Sequence, residues 1–209
     1  MRQVFDQRLD SVRGALVVMS ATAASAIRWA SDALLAADLA PAEPVLRADD
    51  EVKSLRRRVD QEIYALLAQE QPVASDLRLA VAGLHVAGDI ERMSALAVHV
   101  AKAMLRRHPE RTVPPEAEEI FRRMGEVAER LAWKMTRVLE LRDATLAAEL
   151  DRDDDEMDAL HRSLLSLLFG DWRHGVVGAV DLALLGRYYE RYTDHVVNCG
   201  RHVTFLVTG

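Results

Sequence analysis

Residues 5–30 read FDQRLDSVRGALVVMSATAASAIRWA, and their apolar side chains fall at Phe5, Leu9, Val12, Leu16, Met19, Ala23, Ala26 and Ala30. The steps alternate between four and three. That spacing draws one apolar seam along a long α-helix, which must be covered by other helices. The same kind of seam recurs. Pro41 suits the first turn of a second helix carrying Val45, Ala48, Val52, Leu55, Val59 and Leu66, and Gln71-Pro72 breaks it. Ser75 reads as the N-cap of a third helix with Leu79, Gly83, Val86, Ile90, Met93, Ala97, Val100 and Met104. His108-Pro109 ends that helix, and Pro114-Pro115 open a fourth with Phe121, Met124, Ala128, Leu131, Met135 and Val138. Met157, Leu160, Leu164 and Leu167 mark a fifth, stopping near Gly170. After a turn to Gly175 the last helix carries Leu182, Leu185, Tyr189, Tyr192, Val196, Cys199, Val203 and Leu206.

The order of features repeats. Asp38, Asp49, Asp50, Glu51 and Leu55 match Asp143, Asp154, Asp155, Glu156 and Leu160, each pair 105 positions apart. Glu91-Arg92 then matches Glu190-Arg191 at a shift of 99, and the neighbouring seams match with it. The spacing predicts an all-α protein of two antiparallel three-helix bundles related by an internal repeat, about residues 1–108 and 109–209. Short connections favour antiparallel neighbours. A composition led by Ala, Leu, Arg and Glu agrees, because these residues cost little in a helix.

Composition narrows the function. The 209 residues are half hydrophobic and carry a formal net charge of −6. The densest basic stretch is only Arg106-Arg107-His108, so nucleic acid is not an expected partner. The longest apolar run, from Ala15 to Ile27, is too short to span a bilayer and contains Ser and Thr. One cysteine, Cys199, excludes an internal disulfide and suits a reducing compartment. The expected location is cytoplasmic, without direct membrane insertion. Cys199 sits on a seam and reads as a small buried apolar residue, and Trp172 as a packing residue at an interhelical corner.

The chemistry gathers in the second half. Asp154 and Asp158 are four residues apart on one helical face, and so are Glu190 and Asp194 on the last helix. Like charges at that spacing repel. Brought together, they form a four-carboxylate groove that suits a hard cation such as magnesium or manganese, and with nearby imidazole also iron or zinc. His161 and His195 flank these motifs and read as outer contacts or surface positions. Taken alone, the acidic run also fits a solvated face on which Glu190 and Asp194 pair with Arg187 and Arg191. A nucleophile elbow, a phosphate-binding Gly loop and an HExxH motif are not found in the sequence. The residues therefore favour a binding protein, not an enzyme. They leave open a metal-dependent all-helical enzyme, which an enclosed pocket would favour, and a purely structural scaffold.

Gln71-Pro72-Val73-Ala74-Ser75-Asp76-Leu77-Arg78, followed by Asp89-Ile90-Glu91-Arg92-Met93, resembles the PhoU family of phosphate-signalling regulators. So do Asp154 to Asp158, Glu190 to Asp194 and the overall length. Trp172-Arg173-His174-Gly175, Gly186 to Arg191 and Val207-Thr208-Gly209 resemble actinobacterial members most. The resemblance implies a cytoplasmic negative regulator linking a phosphate transporter ATPase to a sensor histidine kinase, and is compatible with a homodimer. It also implies a multinuclear metal cluster on each bundle, held by paired Asp/Glu-x-x-x-Asp motifs. In the second repeat both motifs stand. In the first, Asp49 and Glu91 remain, but Lys53 and Ala95 replace the second acid of each pair, and Ser94 stands where the family usually has Gly. The formal charge of that quartet changes from −4 to −1. A divalent or trivalent ion is thus expected at the second bundle only, with Lys53 approaching Asp49 or Glu91 in the first.

Overall fold

The computed structural model describes residues 2–36, 42–69 and 74–208, with side chains for 7–36, 43–68 and 76–206. The described residues form six helices and no strand: α1 (Arg2–Ala36), α2 (Ala42–Gln69), α3 (Ala74–Arg107), α4 (Pro115–Leu141), α5 (Ala144–Phe169) and α6 (Gly175–Thr208). Asp38, Pro41, the Gln71-Pro72 break and Gly209 lie outside the described residues, as do the side chains of Phe5, Ser75, Val207 and Thr208.

Helix ends follow local chemistry. Pro114 occupies the cap of α4 in extended conformation and Pro115 its first turn, where a missing N–H costs nothing. Arg142 ends α4 in the left-handed region at φ 53°, its N–H bonding the Val138 carbonyl. The next residue, Asp143, caps α5, with one carboxylate oxygen accepting from the Thr145 and Leu146 N–H groups at 2.9 and 3.0 Å. At the α5–α6 turn the Trp172 indole donates to the Gly175 carbonyl at 2.8 Å, and Gly175 adopts φ +72°, a conformation that favours glycine.

Helices α1, α2 and α3 pack mutually, and so do α4, α5 and α6. The two units join through α1 against α4 and α3 against α6, so α2 and α5 lie on opposite outer sides. One hydrophobic core runs through both units. The seam residues from Val12 to Ala30 on α1 and from Phe121 to Val138 on α4 are buried within it.

The α1–α4 crossing repeats itself about a pseudo-twofold axis. Ser20 on α1 meets Thr136 on α4, their buried hydroxyls 2.6 Å apart. Adding the 105-residue shift to Ser20 gives Gly125, and subtracting it from Thr136 gives Ser31. Those two positions also meet: a Cβ on Gly125 would lie 2.8 Å from Ser31 Oγ and 2.9 Å from its Cβ. Glycine is required there by close helix approach. The Ser31 hydroxyl turns instead to Tyr189 on α6 at 2.8 Å, and the Tyr192 hydroxyl donates to the Ala23 carbonyl at 3.0 Å. Polar groups inside the shared core are thereby satisfied.

Candidate functional site

Asp154 and Asp158 project from α5 toward α6, which carries Glu190 and Asp194. The α5–α6 packing brings all four carboxylates within electrostatic reach of one another along the groove between the two helices. Asp154 and Glu190 are half-buried, whereas Asp158 and Asp194 are exposed at the rim. Burial is the main force on Asp154, pushing its carboxyl up to about 6, and the charges of Asp158, Asp194 and Glu190 push the same way. The buried Thr193 hydroxyl beside it pulls down but donates its proton to the Glu190 carbonyl at 3.0 Å. Asp154 Oδ1 is left buried without a hydrogen-bond partner. Glu190 is also raised, by burial and then by Asp194; its ion pair with Arg187 opposes the rise.

Three other acids of the run are paired with bases, Asp151 on the α6 side of α5. Asp153 pairs with Lys134 at 2.7 Å, Glu156 with Arg123 and Arg130 at 2.9 and 2.6 Å, and Asp151 with Arg201 at 2.6 Å. Among the described residues, Asp154, Asp158 and Asp194 form no ion pair with a base. The reading of a solvated, salt-bridged face holds for Glu190 with Arg187, but Arg191 pairs with neither acid. Beside the groove is a shallow recess of about 300 Å³ that includes Asp154, Asp194, Arg187 and Arg191 in its wall.

A hard cation fits this donor set. The ligands are carboxylate oxygens, one is an orphaned buried atom, and the cluster carries more negative charge than its single arginine neutralises. As placed, no three His, Cys, Asp or Glu side chains among the described residues gather tightly enough to hold a metal ion. The two exposed rim carboxylates would have to turn inward to complete coordination. His161 is half-buried nearby, and burial holds its imidazole below the usual range. His195 points elsewhere, its Nδ1 2.8 Å from Asp89 on α3.

The matching position in the first unit is arranged differently. Asp49 is 7% exposed. Its Oδ2 lies 2.6 Å from Lys53 Nζ, and its Oδ1 accepts from the fully buried Ser94 hydroxyl at 3.0 Å. That hydrogen bond, followed by the charge of Asp49, raises the Lys53 pKa and keeps the ammonium charged. The expectation that Lys53 approaches Asp49 matches this contact. Sequence reasoning missed the role of the hydroxyls: Ser94 and Thr193 occupy equivalent positions, each on the buried side of its acid.

Two fused three-helix units with an acidic position at matching places define a tandem-repeat helical-bundle protein. Among the described residues, no helix is long and apolar enough to cross a membrane. The PhoU domain model matches residues 16–104 and again 121–203. Phosphate-specific transport system accessory protein PhoU homolog 1 of Mycobacterium tuberculosis is 45% identical over 210 residues, covering 100% of this chain and 95% of that protein. PhoU homolog 2 of the same organism is 41% identical, covering 100% and 99%. The crystal structure of PhoU from Pseudomonas aeruginosa superposes with a TM-score of 0.87 at 27% identity, covering 97% of this chain and 98% of that one. The chain belongs to the PhoU family.

Proposed function

We propose that this protein is a cytoplasmic negative regulator of phosphate uptake and of phosphate-starvation signalling. It acts as an adaptor between the ATPase of a phosphate transporter and a sensor histidine kinase. The observation that carries this reading is the full-length likeness to proteins named accessory to phosphate-specific transport. The site supports it. The acidic groove is open at the surface, which suits a contact region better than a reaction chamber. Long helices present extended faces of the kind that partner helices recognise, and a net charge of −6 favours pairing with a basic partner patch.

In this reading the second unit binds a divalent or trivalent cation through Asp154, Asp158, Glu190 and Asp194. Iron, manganese, magnesium and zinc are the candidate ions. The bound ion would supply positive charge that lets the four carboxylates share one groove. Asp154 holds the buried side, and Asp158 and Asp194 close over the exposed side. Arg187 offsets part of the rise that burial and Asp194 impose on the Glu190 carboxyl. The first unit binds no ion, because Lys53 already places a cation against Asp49.

Deleting the gene, in a strain without a second PhoU-domain gene, should make a phosphate-starvation reporter constitutive in phosphate-rich medium. A reporter that stays repressed would rule out the negative-regulator role.

A further inference from the structure

Away from the acidic grooves, α3 and α6 enclose a second cluster of ligating side chains. His85 and Asp89 are four residues apart on α3, and His195 and His202 two turns apart on α6, so each pair shares a helical face. The faces meet where the two repeats pack. Asp89 lies at the centre, with Oδ1 2.8 Å from His195 Nδ1 and Oδ2 3.7 Å from His202 Nε2. His85 stacks on His202 with ring centroids 5.0 Å apart and planes at 10°. Asp89 and His195 are largely buried, His202 is one-third exposed, and His85 lies at the surface.

We propose that His85, Asp89 and His202 form a binding site for a borderline divalent cation of the zinc type, with His195 holding Asp89 in place by a hydrogen bond. The 3.7 Å gap between Asp89 and His202 is too long for a hydrogen bond. It is close to the roughly 3.3 Å that separates an oxygen and a nitrogen ligand across a tetrahedral zinc with bonds of about 2.0–2.1 Å. By the same geometry, two imidazoles on one zinc have centroids roughly 5 Å apart, the separation found for His85 and His202. As placed, the three side chains do not close round an ion: the ring planes are nearly parallel, so one ring must turn for both to present a nitrogen. The terminal torsion of histidine is soft, and His85, at the surface, has room to make that turn.

The donor set agrees. Two imidazoles and one carboxylate favour zinc over magnesium or calcium. The hydrogen bond from His195 orients the ligating carboxylate, as such outer contacts do in metal sites. A shallow recess bordered by Leu77, Arg78 and Phe205 opens beside His85 and His202. The ion would tie α3 of one repeat to α6 of the other, independently of the acidic groove.

The test uses the untagged full chain carrying Asp158→Ala and Asp194→Ala, which disables the acidic groove, after stripping with chelator. Cobalt(II) is the spectroscopic probe. One equivalent per chain should bind with the visible bands of a tetrahedral site, and zinc should displace it. Adding His202→Asn or His85→Gln should each weaken zinc binding at least about tenfold and remove the rise in Tm that zinc gives the parent. Exposed His85 can be changed without disturbing the core, so its variant remains informative if His202→Asn unfolds. No cobalt uptake by the parent, or unchanged zinc affinity in His85→Gln, would overturn the assignment.

Discussion

In the first repeat, Asp49 receives the Lys53 ammonium at 2.6 Å and the Ser94 hydroxyl at 3.0 Å. In the second, Asp154 has no ammonium beside it, and the Thr193 hydroxyl offsets only part of the effect of its burial. The residue four positions on is Asp158 in place of lysine, and the hydroxyl equivalent to Ser94 belongs to Thr193, which bonds the Glu190 carbonyl. The backbone framework is alike, and the difference rests on a few side chains. One aspartate is neutralised by its own helix, while the other keeps an orphaned oxygen and a raised pKa. A buried carboxylate needs a cation, and whether the chain carries it decides whether one must come from solution.

The comparison breaks first at the second groove. Combined Asp158→Ala and Asp194→Ala should lower manganese(II) affinity more than about a hundredfold, since two of four charged ligands are lost. Manganese EPR on chelator-stripped protein reads this directly. Unchanged affinity would mean that the ion sits elsewhere.

Lys53→Met probes the first groove. It leaves Asp49 buried with only Ser94 as partner. Removing one member of a fully buried pair costs about 3–5 kcal/mol. Lys53 has 43% side-chain exposure, so a loss of about 1–2 kcal/mol is expected after screening. Urea unfolding at pH 7 should show a lower midpoint at unchanged slope. An unchanged midpoint would mean that Lys53 does not stabilise Asp49.

The smallest effect is expected at Asp154→Asn, with opposite sign. The folded carboxyl titrates at about 6, above its ordinary value. The folded metal-free protein therefore holds the proton more tightly than the unfolded chain between about pH 4 and 6. Stability should fall as pH rises through that window and level off above it. Asparagine removes this slope and should raise stability at pH 7 by on the order of 1 kcal/mol once solvent screening is allowed for. A denaturation series from pH 4 to 7 tests it, and parallel curves for the two proteins would contradict the burial argument.

Much of this was legible in the residues. The four-three spacing identified six helices, and the buried Met19, Ala23, Ile90, Met93, Tyr189 and Tyr192 fall on it or beside it. Lys53 in place of an acid already announced the asymmetry. Less legible was the merging of the units into one core. A single seam describes a helix covered on one side, but α1, α3, α4 and α6 each pack within their unit and across it. Ala24, Ala82, Ala101 and Val127 are therefore buried off the seam, and Ser20, Ser31 and Thr136 are buried despite their hydroxyls. His195 followed the same logic: adjacent to Asp194 in sequence, it turns about the helix to face α3, where its partner is Asp89. Adjacency along a helix separates side chains by about 100°, and only the packing partner decides which of two neighbours shares a site.

The pseudo-twofold crossing of α1 and α4 makes the molecule resemble a dimer whose subunits have been spliced into one polypeptide. A dimer of identical subunits receives every substitution twice, so a lysine entering one groove would enter both. Splicing lifts that constraint. Ser20–Thr136 and Gly125–Ser31 keep the same crossing with different atoms, and each half can change its groove while the other keeps its own. Tethering also makes the crossing an intramolecular event, governed by chain connectivity and not by protein concentration. Two unlike sites can thus persist at fixed one-to-one stoichiometry on a scaffold that remains nearly symmetric.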